Sequence, residues 1–160
     1  MPLIHISWND YLHLAGKIIN HLKEEKYGPD GLIGISRGGL TPMVTLSGYF
    51  KTRQVGVAFI QKTSSDASFS KMLSKAIVHG YGIPFDVSDK KILIVDNIIQ
   101  TGQTVGEVIK KMNQFGAYHI KVVSLCKHRN KYDFDHFSPM VVNPDDWIVF
   151  PWDVSPFNEE

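Results

Sequence analysis

One stretch constrains this chain more than any other: Lys91-Ile92-Leu93-Ile94-Val95-Asp96-Asn97-Ile98-Ile99-Gln100-Thr101-Gly102-Gln103-Thr104. A short apolar run ends in an acid and an amide, and a loop of small hydroxyl residues follows. Beyond it, Val105, Val108, Ile109 and Met112 have the spacing of one helix face. The pattern predicts a buried strand at Ile92–Val95, ending at Asp96, that feeds a helix through the Thr101–Thr104 loop. Backbone N–H groups at a helix start are free to bind an anion, and the helix dipole favours negative charge there. The hydroxyls of Thr101 and Thr104 add donors. Asp96 and Asn97 stand where they could hold the hydroxyls of a sugar joined to that anion, so the segment reads as a cradle for a sugar phosphate. The Gly-Lys-Ser/Thr and Gly-x-Gly-x-x-Gly patterns of nucleotide loops are absent. The plain alternative is an ordinary strand-to-helix turn.

The rest of the chain supports a soluble α/β protein. Its 160 residues suit one domain, and an apolar content of 43% with 21% charged residues is that of a globular core with a polar surface. With 17 Lys and Arg against 16 Asp and Glu, the formal charge of +1 excludes charge-driven binding to a nucleic-acid polymer or membrane surface. The single cysteine, Cys126, lies in an apolar run and forms no internal disulfide, which suits a cytoplasmic setting. Pro2, His5 and Asp10 stand where a signal peptide would need a basic start and an apolar stretch, and no segment is long enough for a membrane span.

Ser7 with Asp10 forms a capping box for a helix to about Glu25. A strand at Leu32–Ile35, a helix through about Tyr49 and a strand at Gln54–Ile60 follow. From about 61 to 89 the chain is polar and aperiodic, and is expected to be a long functional loop. Strands at Ile92–Val95 and Ile120–Leu125 flank the helix after Thr104. This alternation implies a parallel sheet with ligands at the carboxyl ends of its strands. The core spans about 7–130, and 131–157, rich in Pro and short apolar pieces, forms a small appended hood.

Two more segments carry chemistry. Ser36-Arg37-Gly38-Gly39 joins a strand to a helix, its glycines admit close backbone approach, and Arg37 can fork onto phosphate oxygens. Near the C-terminus, Trp147-Ile148-Val149-Phe150-Pro151-Trp152-Asp153, with Lys127 at the end of an earlier strand, offers an aromatic and an ammonium for a flat heterocycle. Core packing accounts equally for one of the tryptophans, and a solvated strand end for Lys127. None of the seven His residues pairs with another His or Cys at metal-ligand spacing, so no zinc site is assigned.

Together the three segments, in this order, resemble the type I phosphoribosyltransferases, most closely the 6-oxopurine branch that includes bacterial xanthine–guanine phosphoribosyltransferases. The resemblance spans about Ser7 to Asp153. It implies a largely parallel sheet flanked by helices with a small C-terminal hood, and transfer of a 5-phosphoribosyl group from phosphoribosyl pyrophosphate to a purine, with Mg²⁺, in a homodimer or homotetramer. It also implies a strained or cis Ser36–Arg37 peptide. By the same resemblance, Ser36, Arg37 and Gly38 bind pyrophosphate, and Thr101, Gly102, Gln103 and Thr104 bind the 5′-phosphate. Asn97 meets the ribose, Lys127 donates to the purine O6, Trp147 stacks on the base and the Ile148 main chain meets its two-position edge. Asp153 and Asp96 lie near Mg²⁺, Asp96 and Gln100 occupy catalytic positions, and Ser68-Phe69 is the nearest match to the family's loop contact with the diphosphate.

The chain departs from the family at two of three acids: Asn97 and Gln100 stand where carboxylates are usual. Negative charge near the ribose stabilises the oxocarbenium-like transition state, and a base near N7 removes the purine's proton. An amide does neither, so binding should survive better than turnover. Two readings follow: an enzyme favouring a readily ionised purine such as xanthine, or a nucleotide-binding or regulatory protein on the same fold.

Overall fold

The computed structural model describes residues 2–63, 71–154 and 157. In chain order the elements are β1 (Leu3–His5), α1 (Trp8–Glu24), β2 (Gly31–Ser36), α2 (Leu40–Phe50), β3 (Val55–Thr63), β4 (Met72–Gly82), β5 (Lys91–Ile99), α3 (Gln103–Gln114), β6 (His119–His128), β7 (His136–Phe137), β8 (Met140–Val142) and β9 (Trp147–Val149). The main sheet runs β4-β3-β2-β5-β6-β7, with β8 also on β6, and every pairing in it is parallel except β3 with β4. β1 and β9 form a separate two-stranded parallel sheet.

Local chemistry starts the helices where the sequence marks them. The Asp10 N–H donates to Ser7 Oγ and the Ser7 N–H donates to Asp10 Oδ2, so the capping box closes both ways. β2 and β5 are near-continuous apolar runs because both of their faces are covered. Leu93 and Val95 pack with Tyr11, Ile18, Met43 and Leu46 on the α1/α2 side. Ile92 and Ile94 pack with Val105, Val108 and Met112 on the α3 side. Fully burying each such side chain contributes about 1.5–3 kcal/mol.

Consecutive helices therefore leave adjacent strands toward opposite faces. α2, which follows β2, packs on one face, and α3, which follows β5, packs on the other. A crevice opens at the carboxyl ends of such a strand pair, which is where open α/β sheets bind ligands.

Three expectations need correction. The 61–89 stretch is not one irregular loop. β3 runs on to Thr63, and Met72–Gly82 returns as an antiparallel edge strand, while Ser68 and Phe69 lie outside the described residues. Its period is hard to read because register shifts interrupt the pairing and Gly80 takes a φ of 150°. An edge strand also tolerates exposed polar residues such as Lys75 and His79, which reads as loop composition. Asp96 does not end β5. Asp96, Ile98 and Ile99 stay paired with Ser124, Cys126 and Lys127, so the strand continues to Ile99. The stretch after 131 is not wholly a separate layer, because β7 and β8 extend the main sheet and only β9 joins β1.

Candidate active site

The site gathers at the ends of β2, β3 and β5. On β5, Asp96 falls in phase with Ile92 and Ile94 and is 1% exposed. Its Oδ1 accepts from the Asn97 N–H at 2.8 Å and its Oδ2 is ion-paired with the Lys62 ammonium. Burial pushes the Asp96 carboxyl above its ordinary range, while Lys62 and the Asn97 N–H pull it back. Lys62 lies on β3, in phase with the buried Ala58 and Ile60 and beyond the last β2 partner, Ser36 opposite Phe59. β2 has ended at that level, so the long side chain crosses to β5 unobstructed. Sequence reasoning missed Lys62 because it fell in the stretch taken for a loop. Its phase with Ala58 and Ile60 is the signal that marks it.

Asn97 points to the opposite side of β5 from Asp96, and its Oδ1 accepts from the Ile98 N–H at 2.9 Å. It lies over the Ser36–Gly39 turn, whose Ser36–Arg37 peptide is cis. A Cβ at Gly38 would stand 2.2 Å from Asn97 Nδ2, and one at Gly39 would stand 2.4 Å from the Val95 carbonyl oxygen. Gly39, which meets backbone, is therefore required for the turn to seat against β5, whereas a side chain at Gly38 would displace the Asn97 amide.

After β5 the chain enters the predicted cradle. Gly102, with φ of 84°, precedes α3, and the Gln103 N–H donates to Thr101 Oγ1 at 3.3 Å. The first-turn N–H groups of α3 have no intrahelical acceptors and face any anion placed there. Lys62, Asp96, Gln100, Thr101, Gly102 and Thr104 line this small pocket. Its backbone is fixed from behind. The Tyr132 hydroxyl, 2.6 Å away, and Asn130 Nδ2, 2.9 Å away, both donate to the Gln100 carbonyl. The Tyr132 ring also packs so close to Gly102 that a Cβ there would stand 2.9 Å from it. Sequence reasoning singled out neither Tyr132 nor Asn130.

A wider cleft continues from the cradle. Its lining takes in Ser36, Arg37, Gly38, Asn97 and Gln100 on one side and Asp146, Trp147, Ile148 and Asp153 on the other. Trp147 opens β9, and Ile148 pairs with Ile4. Trp152 also lines the cleft, and it stacks on Phe150 at 5.1 Å and meets Tyr11 edge-on. Asp153 Oδ2 accepts from the Phe150 N–H at 2.9 Å, closing the turn that ends the hood.

Lys127 is not brought into this lining. It pairs with Ile99 in the sheet, and its Nζ lies 3.0 Å from His136 Nε2 and 6.0 Å from the Tyr132 ring centre. His136 Nδ1 is 2.9 Å from the Phe134 carbonyl oxygen, which only accepts, so Nδ1 carries the proton and Nε2 accepts from Lys127.

No group of three or more His, Cys, Asp or Glu among the described residues is placed to hold a metal by itself. Mg²⁺ commonly binds through one or two carboxylates together with substrate phosphates. The cleft carboxylates Asp96, Asp146 and Asp153 fit that mode.

Comparison with known proteins shows the family of the chain. The phosphoribosyl transferase domain matches residues 7–157, and the chain belongs to that family of enzymes. Its relatives within the family include purine phosphoribosyltransferases. The chain is 27% identical to the xanthine-guanine phosphoribosyltransferase of Gluconobacter oxydans, over 94% of this chain and 84% of the relative. The crystal structure of a purine phosphoribosyltransferase from Pyrococcus horikoshii superposes with a TM-score of 0.76 at 28% identity, covering 100% of both chains. A Neisseria gonorrhoeae hypothetical protein with bound ppGpp shares the fold, with a TM-score of 0.78 at 18% identity over 97% of this chain and 91% of that one. No helix among the described residues is long and apolar enough to cross a membrane.

Proposed function

We propose that this protein transfers the 5-phosphoribosyl group of phosphoribosyl pyrophosphate to a 6-oxopurine, giving a nucleoside monophosphate and pyrophosphate. One observation supports the reading most: the α3 cradle adjoins the cleft lined by Asn97, the Arg37 turn and Trp147, the two sharing Lys62, Asp96, Ile98 and Gln100. The cradle seats the 5′-phosphate, Asn97 meets a ribose hydroxyl, and Arg37 with the Ser36–Gly38 turn holds the diphosphate. Trp147 covers the base, with the Ile148 main chain at its two-position edge. Lys127, which the family resemblance assigns to O6, lies outside this lining and on His136. Mg²⁺ bound with the diphosphate, beside Asp153, would neutralise the leaving group's charge. The protein acts as a homodimer or homotetramer.

In the reaction the C1′–O bond to pyrophosphate breaks and a bond from a purine nitrogen to C1′ forms, while the purine loses a proton. Gln100 lines both parts of the site but its amide takes up no proton. Xanthine, which ionises readily, needs this help least and is the preferred base. A second reading, nucleotide binding with little turnover, is favoured by the charge at the centre. Asn97 and Gln100 are neutral, and the Asp96 carboxylate is already paired with Lys62.

Calorimetric titration with GMP and AMP tests the assignment. GMP should bind more tightly, and equal affinities would overturn the 6-oxopurine reading. Trp147→Ala should weaken GMP at least several-fold, since stacking on an aromatic face is worth roughly 1–3 kcal/mol per base.

A further inference from the structure

Lys62 stands where the two halves of the site meet, lining both the cradle at the start of α3 and the wide cleft. Among the described residues that line the cradle it is the only cationic side chain. Its carboxylate partner is sealed behind it: the Asp96 side chain is 2% exposed, whereas that of Lys62 is 21% exposed. A ligand entering the cradle therefore reaches this pair from the ammonium side.

A phosphate monoester brings about two negative charges. The start of α3 offsets roughly half a charge through its dipole. An ammonium has three donors, and the bond to Asp96 Oδ2 commits one of them. We propose that Lys62 is a phosphate-binding residue of this site: anchored by Asp96, its ammonium donates to the 5′-phosphate oxygens of the nucleotide seated at Thr101–Thr104. This deepens the phosphoribosyl reading above and rests on it. Asp96 then has a second task besides facing the ribose, since it holds the cation that completes the cradle. The arrangement also explains an ammonium on β3 in phase with a buried apolar row, at a level where β2 has ended.

The alternative is that Lys62 only neutralises Asp96 for folding. The two are separated in a background that has no Asp96 carboxylate left to neutralise. Asp96→Asn, which keeps the Lys62 ammonium, is compared with Asp96→Asn/Lys62→Gln, which replaces it with a neutral side chain of similar length. GMP and guanosine are titrated into both variants by calorimetry. Because a charge-assisted hydrogen bond is lost, GMP should bind about tenfold or more weakly to the double variant. Guanosine, which lacks the phosphate, should bind both alike. Equal GMP affinity in the two variants overturns the role of Lys62 and leaves the phosphoribosyl reading standing, provided the unmodified protein binds GMP. If the unmodified protein binds neither GMP nor inorganic phosphate, the phosphoribosyl reading falls and this inference with it.

Discussion

Lys62→Gln with Asp96 kept should lower folding stability by about 3–5 kcal/mol, because it strands a buried carboxylate without its counter-charge. The Lys62→Gln/Asp96→Asn double variant should recover most of that loss, since it removes both charges together. The pH dependence has a definite sign. Burial already holds the Asp96 carboxyl above its usual range in the folded protein. A group raised in this way contributes stability that is fully present below its unfolded pKa and lost as pH rises through the folded value. Removing Lys62 raises the folded value further. The single variant should therefore be closest to the parent at about pH 5 and furthest from it at about pH 8. Urea melts at the two pH values provide the check. A single variant as stable as the parent at the higher pH would mean that Asp96 does not depend on Lys62.

The second large effect concerns Gln100. Its carbonyl is pinned by Tyr132 and Asn130, so Gln100→Asp changes the side chain on a fixed backbone. Restoring a proton acceptor there should raise turnover, because general base catalysis typically contributes about 10²–10⁴-fold. The gain should be largest for hypoxanthine and guanine and smallest for xanthine, which arrives closer to ionisation. Asn97→Asp acts through charge near the ribose instead and should help all bases alike. Steady-state rates for the three purines separate the two effects. A fall in rate for Gln100→Asp would mean that the amide itself assists the reaction, for example by leaving the neighbouring Lys62–Asp96 pair undisturbed.

Much of the fold was legible because local and long-range preferences agree. The Ser7–Asp10 box, the apolar runs of β2 and β5 and the face of α3 each point to one structure. The cradle was legible for the same reason, being local: strand, turn and helix start are consecutive. What escaped was non-local or at an edge. β4 is an edge strand broken by bulges, so neither burial nor period marks it. Lys62 meets Asp96 across a gap of 34 residues, and no local pattern announces that pairing. Tyr132 and Asn130 brace the Gln100 carbonyl from a segment whose composition reads only as irregular. The end of the strand carrying Asp96 was misplaced because acids and amides usually mark strand ends.

Incubation of the unmodified protein with phosphoribosyl pyrophosphate, Mg²⁺ and, in turn, xanthine, guanine, hypoxanthine and adenine tests the central claim most directly, with nucleotide and pyrophosphate both quantified. Nucleoside monophosphate and pyrophosphate should form in equal amounts from the 6-oxopurines, fastest from xanthine, with adenine left unchanged. Nucleotide formed from adenine as fast as from the 6-oxopurines, or no nucleotide from any base, would contradict the account.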